Sequence, residues 1–360
     1  MGSPADKEHL RLMLPMKAIL AFSASVLLLA SCLPKDNPMP NQNARSAMIL
    51  STDCGVEMDD QWAISHLALS PEFDLRGIVS AQAPVLATAD SSGNLGPQVK
   101  APSDIAEATA AAARSTLSAM PIDVLIPVYA GSNTRLENRA TPAPSKGADF
   151  IITASQGFTP DNRLSILVIG PATDVASALL LDPSIENRIS IVAMAFNTWP
   201  EGTDLFNVKN DIAAWQVLMA SRSHITIGDW AVCKTHLKMN RSGARSLFSD
   251  LGQPGQFLIN LISSWLDHQS ATAEALVDDS EAWAVWDQVT VAHMLGLTTV
   301  RIYPRPELQD DMSFSFDGID RKDSLTINWI TEIDEDALWN DFRSKLGRAM
   351  NQRDEHPDGE

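Results

Sequence analysis

Short apolar, β-branched runs recur along the chain and alternate with stretches of helical period. Residues 47–51, 75–80, 124–128, 164–169, 189–194 and 224–227 read as strands, and several are apolar without a break, as in strands covered on both faces. Between them, 59–69, 103–120 (Ser103 as N-cap), 173–181 and 212–220 carry a helical pattern. Further helices are predicted near 255–273, 287–295 and 335–350, with β-like runs at 298–303 and 324–330. This alternation predicts an α/β fold, a single domain over 47–350 with a mostly parallel central sheet and helices on both faces. No repeat or internal linker divides it.

The two ends read differently. Residues 18–30 form an apolar run of 13, too short to span a bilayer comfortably, with Lys17 before it and Ser31-Cys32 after it. Leu29-Ala30-Ser31-Cys32 resembles a bacterial lipobox. That resemblance implies a lipoprotein signal peptide over 1–31, lipidation at Cys32, and an extracytoplasmic protein anchored to a bacterial membrane, periplasmic or at the cell surface, through its N-terminal lipid alone. The Pro- and Asn-containing stretch 32–46 reads as a flexible tether and 351–360 as a tail. Cys54 and Cys233 are the remaining cysteines. In an oxidising compartment they either pair or lie buried apart, and sequence leaves both open.

Composition is globular, with 45% hydrophobic residues, and 45 Asp and Glu outnumber 27 Lys and Arg for a net charge of −18. Such a surface repels phosphate backbones and excludes a nucleic-acid polymer as partner. The acidity is concentrated where it matters. In open parallel sheets ligands bind beyond the carboxyl ends of the strands, and the first such turn holds four acids: Asp53, Glu57, Asp59 and Asp60. Carboxylates this close raise one another's pKa unless a cation or donors compensate. A hard divalent ion is the natural partner. An EF-hand fails on spacing, with Met58 and Ile64 where Gly and Glu are required, and a phosphate-binding loop fails on charge and glycine count.

These residues resemble the amino-terminal signature of the nucleoside hydrolases, the inosine-uridine-preferring superfamily, whose pattern is D-x-D-P-G-x-D-D or a longer form. Three further segments follow in the family's order. Leu167-Val168-Ile169-Gly170-Pro171-Ala172-Thr173-Asp174 is similar to its strand plus G-P-L-T-N. Phe206-Asn207 with Asn210-Asp211-Ile212-Ala213-Ala214 is similar to its E-F-N and D-P-E-A-A, and Trp286-Asp287 to its late H-D-P. The resemblance implies a Ca²⁺ site with Asp53, Asp60 and Asp287 as carboxylate ligands and Ile169 giving a backbone carbonyl. It implies that Asp59 and Asn207 bind the ribose hydroxyls and that Asp53 takes the proton of the attacking water. It also implies a nucleoside or other ribosylated small molecule as substrate, and a dimer or tetramer.

Departures from the family pattern touch the metal shell, the sugar and the base in turn. Ser51 replaces the first motif Asp, Leu205 the ribose-contacting Glu, and Trp286 the His that helps protonate the leaving base. Trp286, with Trp283 nearby, is therefore a candidate for stacking a base, core packing being the other reading. His236 is the one histidine considered as a replacement acid, while His66 and His293 read as structural. Two functions fit: a calcium-dependent hydrolase of an N-glycosidic bond, or a lipid-anchored protein that binds a ribosyl ligand at a Ca²⁺ site without turnover.

Overall fold

The computed structural model of the protein describes residues 45–317 and 324–355. The expected signal peptide, Cys32 and nearly all of the expected tether lie outside the described residues. Strands Ser46–Thr52 (β1), Phe73–Ser80 (β2), Val128–Ala130 (β3), Leu164–Val168 (β4), Ile189–Met194 (β5), His224–Gly228 (β6), Thr298–Pro304 (β7) and Thr326–Ile333 (β8) form one eight-stranded sheet. Their order is β7-β8-β6-β5-β4-β1-β2-β3. Only β7 runs antiparallel to its neighbour, so the expected mostly parallel α/β sheet is present.

Helices Asp59–Ala68 (α1), Ile105–Ala119 (α2), Lys146–Ala154 (α3), Thr173–Leu181 (α4) and Ile212–Ala220 (α5) make the crossovers. Trp230–His236 (α6), Arg241–Phe248 (α7), Gly252–Val277 (α8) and Gln288–Met294 (α9) precede β7, and Glu335–Glu355 (α10) follows β8. Alternation along each strand sorts the core into two layers. Ile49, Ile166 and Ile191 pack with Ile151, Val175 and Trp215 beneath α3, α4 and α5. Met48, Leu50 and Leu167 pack with Ile64 and Ala113 on the other face.

Strand order reverses at β1. The chain proceeds from β1 to β2 and β3 on one side, then to β4, β5 and β6 on the other, with Ser51 paired to both Val79 and Val168. Connections leaving β1 and β4 therefore diverge and open a crevice at their carboxyl ends. Helix α1 rises from that crevice and is anchored at its far side. Trp62 makes edge contacts with Phe248, Trp339 and Phe342 at centroid distances of 5.3, 5.9 and 6.1 Å. His66 stacks on Phe342, and its Nδ1 and Nε2 lie 2.9 Å from Gln288 Oε1 and from Asp341 Oδ2. The Gln288 contact ties the start of α9 to α1.

Some elements differ from the sequence reading. The strand expected at 124–128 begins only at Val128, and Val124 and Leu125 are exposed. Pro127 lies within the run, and its missing N–H delays pairing. Helix α2 has Asp104, not Ser103, at its N-cap. The expected tail is helical through Glu355, and β1 starts at Ser46, the last residue of the expected tether. Among the described residues no helix is long and apolar enough to cross a membrane.

Candidate active site

Beyond β1 the chain turns through Asp53 to Met58 before α1 starts. Gly55 holds φ +99°, and a Cβ there would meet Ala87 O at 3.1 Å, so glycine is needed for both conformation and space. Val56 N donates to Asp53 O at 3.2 Å, closing the turn. The Thr52 hydroxyl donates to the Asp60 carboxylate. Asp287 occupies the N-cap of α9, and the His66–Gln288 contact keeps that helix end against α1. The outcome is a cluster in which carboxylate oxygens of Asp59, Asp60 and Asp287 lie within 4.8 Å of one another, all three residues buried.

Asp53 borders the same cavity and is held from behind. An added Cβ on Gly170 would sit 2.5 Å from Asp53 Oδ1 and 2.8 Å from Asp53 N, so the turn after β4 must be glycine for the two strand ends to approach. Ile169, just before it, also lines the cavity. The sequence-derived set Asp53, Asp60, Asp287 and Ile169 is thus brought to one cavity, while the tightest three-carboxylate group contains Asp59 in place of Asp53.

Burial dominates the electrostatics here. It lifts the Asp53 carboxyl to about 7, with repulsion from Asp59 adding and its own backbone N–H opposing. It also lifts Asp59 to about 7, against backbone N–H groups that favour the charged form. Asp60 and Asp287 are pushed well up by burial and then by neighbouring carboxylates, as is Glu57. Of the described residues lining the cavity, none is Lys or Arg. Buried carboxylates without a cation either hold protons or take up a metal, and an all-oxygen donor set suits a hard divalent ion.

Asn207 reaches the cavity by a loop that sequence reasoning did not anticipate. Asp204 is buried, and its two carboxylate oxygens accept from Phe196 N at 3.0 Å and Phe206 N at 2.5 Å, folding 196–206 back on itself. Asn207 Nδ2 then donates to Met194 O at 3.0 Å and Ile169 O at 3.3 Å. Its amide nitrogen is engaged by backbone, and its Oδ1 is the atom left to accept from a ligand.

The opposite wall is aromatic. Trp286 lies edge-on to Trp283 at 5.7 Å and faces Trp230 nearly parallel, with centroids 6.3 Å apart and planes 17° apart. Trp283 Nε1 donates to Glu57 Oε2 at 3.1 Å, joining the wall to the acidic turn across 226 residues. Trp230, Phe206 and Leu276 were not singled out from sequence as site residues, and Glu57 was counted in the acidic turn without a role of its own. Trp230 follows the end of β6, where the strand-end rule points. The cavity offers about 50 Å³ of free space between floor and wall. Phe206 lines the cavity and is exposed, as is the neighbouring Leu205.

Both cysteines are buried free thiols. Cys233 Sγ lies 3.7 Å from Met194 Sδ and 3.5 Å from Trp286 O, which settles the open alternative as separate burial. His236 sits 3.4 Å from Glu332 and does not line the cavity, so it does not replace the missing acid. His66 and His293 have protein partners, as expected of structural residues.

A metal-ready carboxylate floor beneath aromatic rings, at the switch point of a parallel sheet, defines an α/β protein built to hold a small polar ligand with a planar part. The chain matches the model of the inosine-uridine preferring nucleoside hydrolases over residues 48–340 and belongs to that family. It is an enzyme of the ribonucleoside hydrolase type, in a family of metal-dependent hydrolases. Comparison with curated proteins finds no match. Among solved structures, a purine-preferring ribonucleoside hydrolase from Gardnerella vaginalis is similar at TM-score 0.65 and 18% identity, covering 85% of this chain and 100% of that one. A plant nucleoside hydrolase is similar at TM-score 0.60 and 16% identity, covering 84% and 99%. An inosine-uridine preferring nucleoside hydrolase from Bacillus anthracis is similar at 0.59 and 15%, covering 84% and 99%. At these identities the likeness is one of fold.

Proposed function

We propose that this chain hydrolyses the N-glycosidic bond of a ribonucleoside or related ribosylated small molecule with Ca²⁺ as cofactor. The observation that carries the reading is the convergence of Asp53, Asp59, Asp60 and Asp287 with Ile169 around one cavity. Asp53, Asp60, Asp287 and the Ile169 carbonyl would hold the ion, with Asp59 beside them. When bound, the ion supplies charge that anchors the sugar diol and makes water a better nucleophile.

The chain's own residues do the rest. Asp59 and Asn207 Oδ1 accept from the ribose hydroxyls and fix the sugar. Asp53 takes the proton from the water attacking C1′. The acidic floor stabilises the positive charge that builds on the sugar ring as the bond breaks. Trp283 and Trp286 hold the planar leaving group and exclude water. Similarity to enzymes described as purine-preferring and inosine-uridine preferring supports a nucleoside substrate class, and Leu205 and Trp286 set this chain's recognition apart.

The test is release of free base and ribose from a nucleoside panel with and without Ca²⁺. Asp53→Ala is expected to abolish release with the melting temperature preserved, and unchanged turnover in that variant would overturn the assignment. From sequence alone we further infer lipidation at Cys32 and residence outside the cytoplasm. Cys32→Ala is expected to move the protein from the membrane to the soluble fraction, and retention on membranes would refute it.

A further inference from the structure

The cavity has two unlike halves. Its floor carries the carboxylates of Asp53, Glu57, Asp59, Asp60 and Asp287, and its wall the indoles of Trp230, Trp283 and Trp286. Among the described residues lining it, none is His, Lys, Arg or Tyr. Even with a divalent ion in place, the floor offers carboxyl oxygens and no cationic side chain. Lys234, whose ammonium lies 4.5 Å from the centre of the Trp230 ring, is paired with Asp278 at 2.7 Å and contributes no free charge.

Bond cleavage places a demand on this arrangement. When water adds to C1′, the C1′–N electron pair passes to the leaving nitrogen. A neutral nucleoside then expels an anion unless a donor protonates the base, and a positioned general acid typically contributes about 10²–10⁴-fold. A riboside quaternised at the glycosidic nitrogen has no such need. Its ring nitrogen receives the pair and leaves as a neutral heterocycle, while the proton of the attacking water passes to Asp53. Before cleavage its positive ring is drawn to an anionic floor and to Trp faces, the strongest of the aromatic side chains for a cation.

We propose that the preferred substrates are ribosides with a cationic leaving group, of the N-ribosylpyridinium type, selected by the carboxylate floor and the Trp230–Trp286 faces. The inference rests on the hydrolase reading above and narrows its substrate class. The near-parallel Trp230 and Trp286 indoles, 6.3 Å apart, give the wall flat aromatic faces for a planar ring.

The experiment compares initial rates of the wild-type chain with Ca²⁺ at pH 7 on nicotinamide riboside, inosine and uridine, each corrected for uncatalysed loss. The kcat/KM for the pyridinium riboside is expected to exceed both neutral nucleosides by about 10²-fold or more, the size of the general-acid contribution they lack. In parallel, 1-methylnicotinamide is expected to inhibit at concentrations where neutral nicotinamide does not. Equal or faster cleavage of inosine or uridine would overturn the charge preference while leaving the hydrolase reading standing. Absence of ribose release from all three would overturn both.

Discussion

Replacing Gly170 with alanine tests whether Asp53 must lie where β1 and β4 diverge. The new Cβ would stand 2.5 Å from Asp53 Oδ1, and reaching the 3.4 Å of ordinary contact takes a shift of about 0.9 Å. The Asp53 N atom at 2.8 Å blocks relief by a rotamer change alone, so the backbone of the turn must also give. Gly170 is not among the glycines with positive φ, so alanine's own backbone preference adds no strain, and the overpacking cost is about 1–3 kcal/mol. A misplacement of about 1 Å in a reacting group can cost about 10²-fold. Gly170→Ala is therefore expected to lower kcat about 100-fold while circular dichroism and a cooperative melt are retained. Steady-state hydrolysis of the best substrate, read with the melting curve, makes the check. A kcat within threefold of wild type would refute the placement of Asp53 as proton acceptor.

Other consequences follow from the same geometry. Without a cation Asp53 and Asp59 hold protons below about 7, so Ca²⁺ must displace them: binding at pH 7 should release protons, and the Ca²⁺-induced rise in melting temperature should be larger at pH 8 than at pH 6. A rise independent of pH would contradict this. Asp174, buried with Oδ2 unpartnered, is lifted by burial from 3.8 to about 6. The folded state then holds a proton that the unfolded state loses, so Asp174 alone contributes a fall in stability on the order of 3 kcal/mol as pH rises from about 4 through 6. Asp174→Asn should make the fall over that range shallower by that amount and be the more stable form at pH 7.5 in urea melts, and matching pH profiles would argue otherwise. Trp283→Phe removes the donor to Glu57 Oε2 and is expected to raise KM about tenfold with little change in kcat. A loss confined to kcat would mean that Trp283 acts on the transition state rather than on binding.

Contiguity decided how much of this was legible in the sequence. The turn from Asp53 to Asp60 packs its acids into eight residues, and repulsion among them announces a cation at that strand end without any tertiary information. Asp287 and Asn207 are single residues that any helix start or turn might carry, and they became readable only through the order of segments shared with the nucleoside hydrolases. The pairing of Glu57 with Trp283 has no local signature, because 226 residues separate the partners. Asp204 escaped for a related reason: its work is to fold its own loop by accepting two backbone N–H groups, which no spacing rule reports. The misplaced strand at 124–128 reflects an apolar run in which Pro127 has no N–H to donate, so pairing with β2 starts only at its end.

The most direct measurement is a crystal structure of the chain soaked with Ca²⁺ and a non-hydrolysable ribose analogue. The expected result is one ion with oxygen ligands from Asp53, Asp60, Asp287 and the Ile169 carbonyl at about 2.3–2.6 Å, and both sugar hydroxyls in its coordination sphere. An ion held without the sugar, or analogue bound away from Asp53, would contradict the account.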